Sequence, residues 1–303
     1  MTDPNPSGAS ATPQDNKEAN PAAAGAVYAS GAFFLWGAAP LYFRLLRGVA
    51  ALEIIAHRVL WSMLFLLLLV PITGRFPAVK AVLRQRRTLA MLAISGALVT
   101  SNWLTFVWAV NAGRVLETSL GYFITPQINV LLGFLFLGER LRRAQWLAVA
   151  LAMAGVVNQI LMLGQLPWVS LVLALTFGCY GLFRKQIPVD PLTGLLIETG
   201  IGAPVAAAYL LHLGRHQTMA FLHRGWLTDV LLLLLGLVTA VPLLMFAAGA
   251  RRLPLATVGF LQYLAPTMTF VLAVFVFGEP LGAARITTFA LIWAGIAVYF
   301  WRR

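Results

Sequence analysis

The chain has 303 residues, of which 60% are hydrophobic and only 11% charged, with one cysteine and a formal net charge of +12. A soluble globular domain carries about a quarter charged residues, so this composition excludes one, and a mean hydropathy of +0.83 points to a membrane-embedded chain. The lone Cys179 has no partner for an internal disulfide, and no Cys or His spacing matches a metal site, so neither a disulfide scaffold nor a metal or other cofactor is expected.

In chain order, residues 1–24 are polar and rich in Pro, Ala and Asn. They lack the basic start, apolar core and cleavage site of a signal peptide and read as a disordered cytoplasmic tail. About ten hydrophobic runs follow, each near the roughly 20 residues needed to cross a bilayer. They lie at 25–45, 53–72, 88–110, 116–138, 144–163, 167–185, 192–212, 227–249, 255–278 and 284–301. The expected fold is an all-α integral membrane protein of ten transmembrane helices. Trp146, Trp168 and Trp226, near run ends, read as interfacial anchors.

The runs repeat. At an offset of 140 residues, PQINVLLGFLFLGERLRRA from Pro126 falls on PTMTFVLAVFVFGEPLGAA from Pro266. The same offset pairs Gly96 with Gly236, Phe106 with Phe246, Glu139 with Glu279, and Ala154–Gly155 with Ala294–Gly295. Two halves are expected, 25–163 and 164–303. With five spans each, the second half enters the membrane from the opposite side, giving inverted five-helix repeats with a substrate site near the midplane.

Charge follows topology. With the N-terminus inside, one side holds Lys17, Arg75, Lys80, Arg84, Arg86, Arg87, Arg140, Arg142, Arg143, Arg184, Lys185, Arg251, Arg252, Arg302 and Arg303. The other has only Arg44, Arg47, Arg114, Arg215, Arg224 and Arg285. This asymmetry puts both termini in the cytoplasm. A nucleic-acid partner is not expected, because that would need a basic face with interleaved aromatics.

Several blocks resemble the RarD group of EamA-type transporters, in the drug/metabolite transporter superfamily. They are FLWGAAPLYFR at 34–44, EIIAHRVLWS at 53–62, NWLTFVWAVN at 102–111 and ETSLGYFITPQINVLLGFLFLGERLRRAQWLAV at 117–149. YGLFRK at 180–185, LLIET at 195–199 and TAVPLLMFAAGARRLPLATVGFLQYLAPTMTF at 239–270 continue the likeness. It runs from about residue 25 to the C-terminus. The resemblance implies ten transmembrane helices in two inverted repeats, in a bacterial inner membrane. Members often carry the name chloramphenicol-sensitivity protein, which describes a phenotype and leaves the cargo open.

Ionisable groups inside a span usually face a cavity or a partner. Glu53 and His57 share a helix face for a local ion pair, while Arg58 points about 100° away. Arg58 is the candidate anchor for an anionic group such as a carboxylate. His57, titrating near neutrality, is the candidate carrier of a coupling proton. The competing reading is a structural knot at the helix end. Glu198 is expected to pair with Arg58 or His57, or to read a substrate amine, against the competing reading of an interfacial residue or a buried, protonated hydrogen-bond donor. Asn102, Trp103 and Asn111 on the third span, Tyr122, Gln127 and Asn129 on the fourth, and Gln262 and Tyr263 on the ninth form a candidate cavity lining. Pro126 and Pro266 are the candidate hinges, and helix packing competes for any single amide. Glu117 beside Arg114 reads as an external salt bridge, and Glu139 and Glu279 as helix-end groups pairing with nearby Arg. Small residues at 150, 154, 155, 290, 294 and 295 suit close packing, internally or in a homodimer.

No HExxH, GxSxG, CxxC or paired catalytic Asp motif is present, so an enzyme is not expected. No Walker sequence is present either, so transport would draw on an existing gradient. The reading is a secondary-active transporter, an exporter of small metabolites such as amino acids. Efflux of amphipathic drugs and a non-transporting membrane sensor are the alternatives.

Overall fold

Twelve helices, and no strand, make up the described residues of the structure, a computed structural model covering 20–112, 114–163, 168–276 and 283–301. In order they are α1 (Pro21–Leu45), α2 (Ala51–Ile72), α3 (Phe76–Arg84), α4 (Arg86–Asn111), α5 (Val115–Leu137) and α6 (Arg143–Leu163). Then come α7 (Trp168–Gln186), α8 (Pro191–Arg215), α9 (Trp226–Arg252), α10 (Leu255–Gln262), α11 (Leu264–Phe275) and α12 (Ala283–Phe300). Eight stretches are long and apolar enough to cross a membrane: the seven helices α1, α2, α4, α5, α6, α8 and α9, and α10 with α11 taken together. The tail before residue 20, Glu279, and the side chains of Asn111 and Arg285 lie outside the described residues.

Helix ends follow local chemistry. The Asn20 side chain accepts from Ala22 N at 3.0 Å and Asp190 from Thr193 N at 3.1 Å, each followed by a proline in the first turn of its helix. Gly138, at φ 64°, ends α5 in the left-handed conformation that glycine adopts without strain. The two candidate hinges behave differently. Pro126 sits inside an uninterrupted α5, whereas the helix equivalent to it breaks at Tyr263, three residues before Pro266. Proline at 266 cannot donate to the carbonyl of Gln262, four residues back, where α10 ends.

Starts at 51, 86, 115 and 143 recur at 191, 226, 255 and 283, each 140 residues on. The pairings recur too. The α1–α9 contact corresponds to α7–α4, the α2–α9 contact to α8–α4, and the α5–α7 contact to α10–α11 against α1. The pairs α2–α8, α6–α12 and α5–α10 join equivalent helices to each other. Only α3 has no counterpart, since the matching stretch near 216–225 is a connection.

An aromatic cluster fills the centre. Phe33, Tyr180 and Phe246 are fully buried, with Trp36–Phe177 centroids at 5.6 Å and Phe177–Phe246 at 5.1 Å. Close helix approach relies on glycine. A Cβ on Gly236 would lie 2.5 Å from the Trp61 backbone of α2, and one on Gly295 would lie 2.9 Å from the Ala148 carbonyl of α6. The small-residue faces around Gly155 and Gly295 therefore meet within the chain, as an α6–α12 seam.

Candidate functional site

The start of α2 carries three neighbouring ionisable groups, and the fold separates them. Glu53 accepts backbone N–H bonds from Ala220 at 2.7 Å and Phe221 at 3.2 Å, holding the α8–α9 connection onto the helix. His57 lies one turn on, with Nε2 3.8 Å from Glu53. Its Nδ1 accepts from the Trp61 indole N–H at 3.0 Å, which leaves any neutral-ring proton on Nε2. His57 faces an apolar groove of about 260 Å³ with Trp61, Met219 and Phe221. Glu53 and His57 thus form the structural knot, with the expected local pairing present.

Arg58 turns inward instead. It is only 7% exposed, and its guanidinium carbon lies 3.7 Å from the centroid of the Trp103 ring, a cation–π contact. Its Nε and Nη1 have no hydrogen-bond acceptor among the described residues. A buried guanidinium short of acceptors is costly, so this geometry favours an incoming anion or water. Tyr180 and Tyr122 lie within electrostatic reach of it.

Arg58 opens onto a cavity of about 30 Å³ between α2, α4, α8 and α9. Four pairs of its lining residues stand 140 apart: Arg58 with Glu198, Val59 with Thr199, Ser62 with Gly202, and Val99 with Thr239. The cavity therefore lies where the two repeats meet at equivalent positions, and at one such position they carry opposite charges. That volume holds about one water molecule, so a larger ligand enters only when the helices part.

Glu198 does not pair with Arg58 or His57. Arg184 Nη1 donates to Glu198 Oε1 at 3.3 Å, with Arg184 1% and Glu198 5% exposed. Arg184, assigned by sequence to the cytoplasmic charges, is thus buried, and it also donates to the Pro191 carbonyl at 3.4 Å. Gly194 leaves it room, since a Cβ there would strike the guanidinium. Ser95 lies beside the pair, and Glu198 Oε2 accepts no hydrogen bond from the described residues.

Most of the expected amide set is used in joining helices. Asn102 Nδ2 donates to the Leu173 carbonyl at 2.8 Å and to Thr176 Oγ1 at 2.9 Å, tying α4 to α7. Gln127 Nε2 donates to the Tyr263 hydroxyl at 2.8 Å, and that hydroxyl donates to the Phe123 carbonyl at 3.2 Å. Asn129 Nδ2 donates to Gln262 Oε1 at 3.1 Å. These bonds join α5 to α10 and to the break at Tyr263 that follows it, and a Cβ on Gly259 would come within 2.8 Å of the Pro126 carbonyl. Of the set, Trp103 meets the Arg58 guanidinium with its ring, and Tyr122 is half-exposed beside Phe106.

Of the two helix-end glutamates, Glu139 is a capping group. Glu139 takes the N–H groups of Leu255 at 2.6 Å and Ala256 at 3.0 Å, closing the start of α10, and its ionic partner is Lys185 at 3.8 Å rather than an arginine. Lys185 also donates to the carbonyls of Leu253 and Ala250. Arg114 and Glu117 pair at 2.6 Å as expected. Ser62, Thr199 and Thr239 also line the Arg58 cavity, and sequence reasoning did not single them out within their blocks. The 140-residue offset from Arg58 to Glu198 is the one sequence signal that leads to this cavity.

The model of the EamA-like transporter family matches the chain twice, at residues 23–159 and 166–301. Protein RarD of Escherichia coli K12 is 47% identical over 275 residues, covering 91% of this chain and 93% of the relative. An uncharacterized transporter of Pseudomonas aeruginosa is 52% identical over 273 residues, covering 88% and 90%. A crystal structure 20% identical in sequence superposes with a TM-score of 0.70, covering 91% of this chain and 97% of the other, a likeness of fold.

Proposed function

The chain belongs to the EamA-like transporter family, with RarD proteins among its relatives, and from that membership we propose a secondary-active exporter of small zwitterionic metabolites of the amino-acid class. The observation that carries this reading is the pair Arg58 and Glu198, opposite charges at equivalent repeat positions on one buried cavity. Arg58 takes the carboxylate, with Trp103 fixing the plane of its guanidinium. The free Oε2 of Glu198 takes the ammonium. Val59, Val99, Leu195 and Leu243 offer an apolar wall for a side chain.

In this account α7 and α12 complete ten spans with the eight above, in halves 25–163 and 164–303. The halves are inverted repeats that rock about the cavity in a bacterial inner membrane, with both termini in the cytoplasm. Matched helix starts and pairings support that symmetry. The coupling ion is a proton, and its carrier is Glu198 rather than His57, because Glu198 borders the cavity and His57 does not. Arg184 is then the resting partner of Glu198, and substrate or proton competes with it for the carboxylate.

The test compares intracellular and extracellular metabolites of cells overexpressing the protein with cells making Arg58→Ala at matched membrane levels. An amino-acid-like solute redistributed only by the unmodified protein supports the reading. Unchanged redistribution in Arg58→Ala removes Arg58 as the anchor. Efflux of an amphipathic drug is the second reading, favoured by the aromatic cluster, and it predicts a cargo insensitive to Arg58.

A further inference from the structure

Helix α3 has no counterpart in the other half, and its faces are ordered around the helix. It joins α2 to α4, two helices apolar enough to cross a membrane, so it lies at a membrane surface. Its nine residues span about 13 Å, far short of the roughly 30 Å hydrocarbon core. Ala78, Val79 and Val82 turn toward the protein, where Val82 packs with Ile187, Val189 and Ile197. At about 100° per residue, the next strip holds Phe76 and Leu83, 68% and 55% exposed. The strip beyond it holds Lys80 and Arg84, both exposed, with Arg86 and Arg87 just after the helix. Arg75 is paired with Asp190 at 3.7 Å, while Lys80, Arg84, Arg86 and Arg87 have no acidic partner among the described residues.

We infer that α3 is a binding surface for anionic phospholipid headgroups, lying in the plane of the interface. Phe76 and Leu83 dip among the acyl chains, and Lys80, Arg84, Arg86 and Arg87 take the phosphates. A bias of positive charge toward one side of the membrane explains the presence of these residues but not an apolar strip set between the protein face and the basic face. That order is the one an interfacial helix needs, with protein, acyl chain and headgroup met in turn. Charge complementarity commits the surface to anionic lipid, with each basic residue contributing on the order of fivefold in preference.

The test uses the full-length protein with Cys179, its single cysteine, replaced by alanine. Spin labels at 76, 80, 83 and 84 are measured in vesicles of phosphatidylcholine with and without phosphatidylglycerol. Labels at 76 and 83 are expected to meet oxygen from the bilayer, and those at 80 and 84 a water-soluble nickel chelate. Phosphatidylglycerol retained by the purified protein is then expected to fall by about tenfold or more in the variant Lys80→Gln, Arg84→Gln, Arg86→Gln, Arg87→Gln, and in unmodified protein at high salt. Equal aqueous access at all four positions overturns the orientation. Unchanged phosphatidylglycerol retention in the variant, at unchanged thermal stability, overturns the headgroup site.

Discussion

Replacing Glu198 with alanine should cost about 3–5 kcal/mol of stability, because it leaves Arg184 charged and buried with no counter-ion. The pair is 3.3 Å apart, with Arg184 1% exposed. At an effective dielectric of 20, their attraction is about 5 kcal/mol, so most of the desolvation cost of Arg184 is offset by this one partner. Arg184→Met should cost a similar amount by orphaning Glu198. The double variant Arg184→Met, Glu198→Leu removes both charges and replaces them with apolar volume, so it should lie within about 1–2 kcal/mol of the unmodified protein. Reversible unfolding in mixed micelles, run as a double-mutant cycle, reads the coupling directly. Single-variant costs that add to within about 0.5 kcal/mol of the double would refute a coupled buried pair.

Three other substitutions probe the frame around the site. Gly236→Ala puts a methyl 2.5 Å from the Trp61 backbone and should cost about 1–3 kcal/mol by forcing α9 off α2; thermal unfolding checks it. Glu139→Ala removes two backbone acceptor bonds and the Lys185 pairing, for about 1–2 kcal/mol, and faster amide exchange at Leu255 and Ala256 should localise the loss. Asn129→Leu breaks the bond to Gln262 and should cost only about 0.6–1.7 kcal/mol, the usual range for interhelical bonds within membranes. Transport per folded molecule should survive it, because this amide joins helices rather than facing the Arg58 cavity.

The long elements were legible because their signal is summed over about 20 residues. The offset repeat then fixed which helix corresponds to which. Helix α3 escaped that signal, because its nine residues are too short for a span and the basic residues in and around it read as a loop. Break positions were harder. Pro126 and Pro266 look alike in sequence, yet α5 runs through one while the equivalent helix breaks near the other, since neighbouring packing decides how a freed carbonyl is met. In the site, the rotation between His57 and Arg58 follows from helix geometry and held. The partner of Glu198 did not follow, because Arg184 is the last buried residue before a loop and reads as topology. The equivalence of Arg58 and Glu198 lies in the offset itself, but an arginine opposite a glutamate looks like a mismatch in a repeat of apolar blocks. Asn102, Gln127, Asn129 and Gln262 show why amides alone are a weak guide, since each finds a partner in a neighbouring helix.

Counterflow in proteoliposomes tests the central claim most directly. Vesicles holding the purified protein are preloaded with mixed amino acids, and entry of labelled amino acids is compared with entry of their methyl esters and N-acetyl derivatives, for unmodified protein and for Arg58→Ala. The account predicts entry of one or more free zwitterions, poor entry of both blocked forms, and a loss of about tenfold or more in Arg58→Ala, as expected for removing a charged hydrogen-bond donor. Equal entry of the blocked forms, or unchanged flux through Arg58→Ala, would contradict it.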